Sequence, residues 1–321
     1  MLRKGLSLQL MSSLWPVLTQ LAANETLVMD PIIAGALCDV FEKALTASTS
    51  SRAALLEPIL PVLKNMFERT ACHVCLECLA SITSLFGTSS SPTPALEQLQ
   101  GSLMWAISAV HMWLSRPPPA RPGTEGLRAE LLSSILTLTA RFAVFQPRQV
   151  FEGSATTAVL EFAMQAVTMQ ERSPVQSALL LLTTVLAVSP VQLSVLQAQG
   201  IRTAAIEGFV CTHCLVLIKH LLLAMCTTCP RDSLRKLGSL LHTLVTLPVY
   251  RDHTIPALRR VLLEGFDPVL STQLTHEDCQ RFCVLALNPQ LPAPRFVSLV
   301  TDFAGIAHGV ATSDDLLAYE M

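Results

Sequence analysis

Cys211, Cys214, Cys226 and Cys229 form two Cys-x-x-Cys pairs eleven residues apart, in the stretch CTHCLVLIKHLLLAMCTTC. Four thiolates in two such pairs are the ligand set of a structural zinc ion. A second cluster, CHVCLEC, places Cys72, Cys75 and Cys78 at steps of three residues. Metal binding or thiol redox work is therefore the first chemistry to test against the elements that must carry these residues.

The intervening residues LVLIKHLLLAM contain no Gly, Pro, Asn or Asp and are strong helix formers. In one continuous helix Cys214 and Cys226 stand about 18 Å apart along the axis, at 1.5 Å per residue, whereas zinc needs every sulfur about 2.3 Å from one ion. The spacing therefore predicts a single helix and no metal ligands. Cys72, Cys75 and Cys78 drift slowly round one helical face, as small apolar core residues do. Other chemistry is missing too. The chain has no phosphate-binding G-x-x-x-x-G-K-[ST] loop, no G-x-G-x-x-G, no G-x-S-x-G and no H-E-x-x-H. His213 and His220 share a helix face without a carboxylate between them. The expectation is a protein that is not an enzyme, with no catalytic residues, no cofactor and no metal.

Half of the 321 residues are apolar, 14% are charged and the formal net charge is −2. A large core is available, and no basic excess points to nucleic acid. The apolar runs are read as buried helices rather than membrane spans. Val175–Val188 is short of the roughly 20 residues a span needs, and Leu215–Met225 carries Lys219 and His220. The N-terminal MLRKGLSLQLMSSLWPVLTQLAA has the basic start of a secretory signal. However, Ser7, Gln9, Ser12 and Ser13 break its apolar run, and Leu6, Leu10, Leu14, Val17, Leu18 and Leu21 recur at helical spacing. Cysteines held in apolar helical stretches fit a reducing compartment.

Apolar periodicity is 3.6 nearly throughout, with no alternating strand. The expected helix pairs are 5–22 with 31–47, 52–69 with 71–86, 95–115 with 127–145, 154–170 with 174–188, 203–227 with 231–246 and 254–265 with 275–287, followed by 293–307. Polar, Pro and Gly segments such as GTSSSPTP and RPPPARPGTEG close the pairs. Helix pairs recurring at about 40–47 residues are the mark of HEAT or armadillo stacks. The predicted fold is all-α: one HEAT-repeat α-solenoid over 1–321, with approximate repeats 1–47, 51–87, 95–146, 150–189, 200–247 and 251–309. Asp30-Pro31 and Ser173-Pro174 read as helix caps followed by first-turn prolines, Glu277-Asp278 as a helix start, and Gly87, Gly200 and Gly309 as left-handed helix ends. Pro16, Pro58 and Pro61 fall inside helical patterns. Leu180 and Leu217, within long apolar runs, are expected in the core.

The stretch LWPVLTQLAAN, the helix IIAGALCDVFEKAL and the following RAALLEPILPVLKNMF resemble the C-terminal part of the importin-beta superfamily of nuclear transport receptors, in its transportin-SR and importin-thirteen branch. Similar register continues through QVFEGSATTAVLEFAMQAVTMQERSPVQSALLLLTTVL, CTTCPRDSLRKLGSLLHTLV and DFAGIAHG. The resemblance implies a superhelix of HEAT hairpins that binds protein cargo, answers to the GTPase Ran, shuttles between nucleus and cytoplasm and has nucleoporins as further partners. It implies a receptor fragment or truncated paralogue corresponding to about the last third of such a receptor. It gives no reason to expect direct nucleic-acid contact or membrane insertion. A HEAT scaffold unrelated to transport is the alternative. Transportin-SR proteins carry a row of arginines on the helix matching Ile33 to Ala44, and this chain has none there. Recognition of phosphorylated Arg-Ser tails is therefore not carried over, and folded-protein cargo stays open. Second helices line the concave surface in this family, which makes Asp39, Glu42, Lys43, Arg128, Glu130, Arg235 and Lys236 the candidate partner-binding residues.

The helix between the cysteine pairs leads to a direct test. Purified protein is expected to hold no stoichiometric zinc, and cobalt substitution to give no tetrathiolate absorption. A tetrathiolate cobalt spectrum would show that the 215–225 helix does not form.

Overall fold

A computed structural model describes residues 3–49, 51–87, 93–116, 126–264 and 273–320, without the side chains of 3–8, Thr228 and Arg231. Every regular element among them is a helix. Most of the closing segments GTSSSPTP and RPPPARPGTEG lie outside the described residues.

The chain divides into two compact units, Met1–Ala155 and Thr156–Met321. The first holds α1 (Arg3–Ala23), α2 (Glu25–Val28), α3 (Pro31–Ala47), α4 (Arg52–Thr70), α5 (Val74–Phe86), α6 (Pro94–Leu114), α7 (Leu127–Phe145) and α8 (Pro147–Phe151). The second holds α9 (Thr156–Val167), α10 (Arg172–Leu186), α11 (Pro190–Ala198), α12 (Ala204–Leu223), α13 (Arg231–Thr246), α14 (Pro248–Leu263), α15 (His276–Ala286) and α16 (Ala293–Ala307). Short turns follow α12 as a π-helix, Ala224–Thr228, and α16 as a 3-10 helix, Ser313–Tyr319.

Local chemistry explains the boundaries. Asp30 Oδ1 accepts from Ile32 N at 2.8 Å, and Pro31 opens α3 where no amide donor is needed. Thr275 and Asp278 cap α15 reciprocally, the Thr275 hydroxyl donating to Asp278 Oδ2 at 2.6 Å. Ser189 and Gln192 do the same for α11. Ser189-Pro190 therefore starts a helix as well as following one, and the sequence reading missed that helix. Ser173-Pro174 lies inside α10, whose first residue is Arg172. Gly200 and Gly309 take the expected left-handed conformation, at φ 70° and 68°. Gly87 does not, at φ −60°. It is glycine for another reason: a Cβ there would lie 2.2 Å from the Phe145 ring.

Hairpins stack in two rows within each unit. In the first, α1, α4 and α6 form one row and α3, α5 and α7 the other. Arg52, opening α4, ties two second-row helices by their ends, donating to Leu45 O at 3.0 Å and Leu85 O at 2.8 Å. Those carbonyls lack helical partners. In the second unit α9, α12 and α14 form one row, and α10, α13 and α16 the other. It is α16 that packs against α13, while α15 contacts α14 and α16. The core between rows is aliphatic, with Phe41, Phe67 and Phe142 fully buried in the first unit and Phe282, Phe296 and Phe303 in the second. The helix Ala204–Thr227 is long and apolar enough to cross a membrane, but half of it is buried, packed against α9 and α14.

Leu217 is fully buried, whereas Leu180 is 46% exposed. At about 100° per residue, the four-leucine run of α10 must turn one side chain outward. Its neighbours Leu179, Leu181 and Leu182 are all at 0%. The expectation that Leu180 lies in the core is thus overturned. Leu217→Asp is expected to cost roughly 3–5 kcal/mol, an uncompensated buried charge. Leu180→Asp should stay within about 1 kcal/mol. Urea unfolding of the two variants separates them, and equal losses would contradict the placement of α10.

Candidate partner-binding face

The second-row helices carry all seven candidate residues. In the first unit α3 presents Asp39 and Lys43, which pair at 3.5 Å across one turn while remaining largely exposed. Such a pair adds little stability. Glu42 is different, being half-buried beside α5 and hydrogen-bonded by Ser81 and Cys78. Burial pushes its carboxyl above the ordinary 4.5, and those two donors only partly offset the rise. Asp39, Glu42 and Glu77 line a cleft of about 510 Å³ between α3 and α5, floored by Cys38 and Cys78.

From α5 the polar network continues to α7. Ser134 Oγ donates to Glu77 Oε1 at 3.2 Å. His73 Nδ1, just before α5, stands 3.2 Å from Glu130 Oε2. Arg128 is exposed at the start of α7. This face therefore carries the carboxylates of Asp39, Glu42, Glu77 and Glu130 against the cations Lys43 and Arg128, and is acidic on balance. Sequence reasoning missed Glu77, Ser81, Ser134 and His73, all on or against α5. The signal was present in the i, i+4 spacing of Glu77, inside CHVCLEC, and Ser81, three residues beyond it.

In the second unit Arg235 and Lys236 are exposed on α13. Asp232, at the start of that helix, is held from α10 by Arg172 and by Gln176 Nε2 at 3.2 Å. Arg172, Arg235 and Lys236 outnumber Asp232, so this stretch is basic. A second cleft of about 590 Å³ lies where α13 begins against α16, lined by Cys229, Leu234, Asp302, Gly305 and His308.

The cysteine pairs of CTHCLVLIKHLLLAMCTTC are separated as the helix requires. α12 runs unbroken through Cys211 and Cys214, and Cys226 falls in the π-turn, closed by Cys229 N donating to Ala224 O at 2.9 Å. Burial pushes the Cys226 and Cys229 thiols up to about 12, so both stay protonated at neutral pH. Among the described residues no group of three or more His, Cys, Asp or Glu side chains has the geometry to hold a metal ion. His213 stacks on Phe209, with centroids 4.6 Å apart. Burial lowers His220, and its Nδ1 has no hydrogen-bond partner.

No family model matches the chain, and no curated protein is significantly similar to it. Among solved structures, importin 13 in its cytosolic state is similar, with a TM-score of 0.75 at 15% sequence identity over 95% of this chain and 32% of that chain. The chain thus has the α-solenoid fold of an importin-type receptor, and spans about a third of the length of the receptor compared. At this identity the likeness concerns the fold.

Glu42 gives a prediction with a definite sign. Its folded carboxyl holds a proton more tightly than its unfolded one, so folding stability falls as pH rises from 4.5 through the folded value. Glu42→Gln removes that loss. The variant should gain on wild type between pH ~4 and pH ~7, read from urea midpoints at both ends. An unchanged difference would mean that Glu42 is fully solvated.

Proposed function

We propose that the chain works by holding protein partners, as the cargo-binding segment of an importin-beta-type nuclear transport receptor in the transportin-SR and importin-thirteen branch. The observation that carries this reading is the importin fold over 95% of the chain, with charged side chains along the second-row helices. In HEAT stacks second helices line the concave surface, where an extended partner can lie along several repeats. Asp39, Glu42 and Lys43 on α3, Arg128 and Glu130 on α7, and Arg235 and Lys236 on α13 are the contacts of this reading. Each unit offers its own charged stretch to a protein partner, acidic in the first and basic in the second. Charges placed this way steer and orient more than they add affinity, so capture should weaken as salt rises. In this reading cargo binding answers to Ran through the intact receptor, nucleoporins are further partners, and the receptor shuttles between nucleus and cytoplasm. The mechanism is binding throughout, with no catalytic step.

Charge reversal tests the face. Glu42→Lys with Lys43→Glu, and separately Arg235→Glu with Lys236→Glu, are each expected to cut partner capture about tenfold, some 1.4 kcal/mol. Glu57→Lys on the first-row helix α4 should leave it unchanged. Circular dichroism controls for folding, and Ran locked with GTP is added to the loaded complex. Capture that survives both reversals but is lost with Glu57→Lys moves the binding surface to the other row. Capture lost on reversal but indifferent to Ran favours a HEAT scaffold outside transport.

A further inference from the structure

The first hairpin, α1 with α3, carries an apolar face that no described residue of its own unit covers. Met11, Leu18 and Ala22 bury one side of α1, and Trp15 meets the Phe41 ring of α3 with centroids 6.1 Å apart. Leu10, Leu14, Val17 and Leu21 form a second stripe, about 90° round the helix from the buried side at 3.6 residues per turn. These four are 60, 41, 54 and 36% exposed. On α3, Ile33 and Val40 lie on the flank turned away from the α5 cleft, Ile33 half-buried and Val40 exposed. No charged residue stands between Lys4 and Glu25.

The row shows where the stripe points. One flank of α4 meets α1, where Arg69 donates to Ala23 O at 2.7 Å and pairs with Glu25; the opposite flank meets α6, where Phe67 packs on Trp105. On α1 the flank equivalent to the Arg69 side is the aliphatic stripe. It therefore faces the next stacking position ahead of α1, in continuity with the α1–α4 and α3–α5 interfaces. A helical stack needs a polar outer side at its ends to stay in solution. The last helix of the second unit is closed in another way. After α16 the chain turns back as the 3-10 helix and buries Leu316 and Tyr319, with Tyr319 Oη donating to Asp302 Oδ2 at 2.5 Å and Arg281 pairing with Glu320 at 3.2 Å.

We propose that the outer face of the first hairpin pairs with the same face of a second copy of this chain, in a two-fold dimer joined through α1 and α3. A two-fold contact sets one patch against itself, so any charge on it would meet its like. The stripe and its neighbours on α3 are aliphatic and meet none. The size also fits. α1 has 21 residues, about 31 Å at 1.5 Å per residue, and two helices each about 10 Å across give roughly 600 Å² per copy. The pair would bury about 1,200 Å² in total, the lower end of specific interfaces. Asp39 and Glu42 line the cleft toward α5 and stay open in such a dimer, so the pairing stands or falls apart from the cargo reading.

The test is sedimentation equilibrium of the 321-residue chain over a concentration series. A reversible monomer–dimer exchange is expected, with a Kd on the order of micromolar for an interface this small. Leu14→Glu with Val17→Glu should weaken it at least about tenfold with an unchanged circular dichroism spectrum. Leu180→Glu, at an exposed leucine of the second unit, should leave it alone. A photo-crosslinking residue in place of Leu21 should link to α1 or α3 of another copy, a readout that decides even if the double variant fails to fold. A chain still monomeric at about 100 μM, well above such a Kd, would overturn the proposal and give the face to another occupant: a further helical hairpin, or a lipid surface if neutral phosphatidylcholine vesicles capture the chain. A dimer indifferent to the double variant, crosslinks outside α1 and α3, or open-ended association would overturn it as well.

Discussion

Every part of this molecule depends on one constraint: an α-helical hairpin with two apolar faces cannot bury both by itself. Each hairpin must give one face to the next, so the rows α1, α4, α6 and α3, α5, α7 exist only as stacks. Stability is then local, shared between neighbours and built from aliphatic contacts such as Leu56, Ile59 and Leu76, all fully buried. Some of the long-range polar links tie helix ends. Arg52 joins the carbonyl ends of α3 and α5, and His308 Nε2 reaches Met225 O at 3.2 Å from the turn after α16.

Close stacking in the second row demands small side chains, and that demand shapes the face it builds. Gly35, Ala34 and the cysteines let α3 lie against α5, and Gly87 admits the Phe145 ring from α7. Small residues leave room for polar groups to reach across: Ser81 and Cys78 to Glu42, Ser134 to Glu77, His73 toward Glu130. The first row solves its contacts differently. Trp105 packs edge-on to Phe67, lies under Lys64 and donates to Glu68 at 2.7 Å. The second row buries aromatics too, Phe41, Phe86 and Phe142, but sets small thiols and hydroxyls between them, and the polar groups of the candidate face reach across there.

Burial also sorts the carboxylates. Glu42 is raised because burial outweighs its two donors. At Asp278 burial raises as well, yet hydrogen bonds from Ser313 and Thr275 and the charge of Arg281 win, and the group stays below its ordinary value. The first sits at the wall of a cleft and the second closes a helix cap, which is the difference between a group available to a partner and one committed to the fold.

The sequence carried most of the helices and of their caps, because a 3.6-residue apolar repeat, an Asp-Pro or a Glu-Asp start and a left-handed glycine are local signals. It also determined that Cys211 to Cys229 are held apart, since helix rise is a local property. It did not show α11, whose Ser189 cap doubles as the end of the preceding run, nor the role of Gly87, whose reason is a ring in another hairpin. Leu180 looked like core because four leucines in a row conceal which one the helix turns outward. Only tertiary structure decided that α16 packs beside α13, that Glu77 and Ser81 join the candidate face, and that Cys38 meets Val74 and Cys78 from a helix 36 or more residues away in the chain. Such meetings depend on which hairpin faces lie together, and no local spacing encodes that.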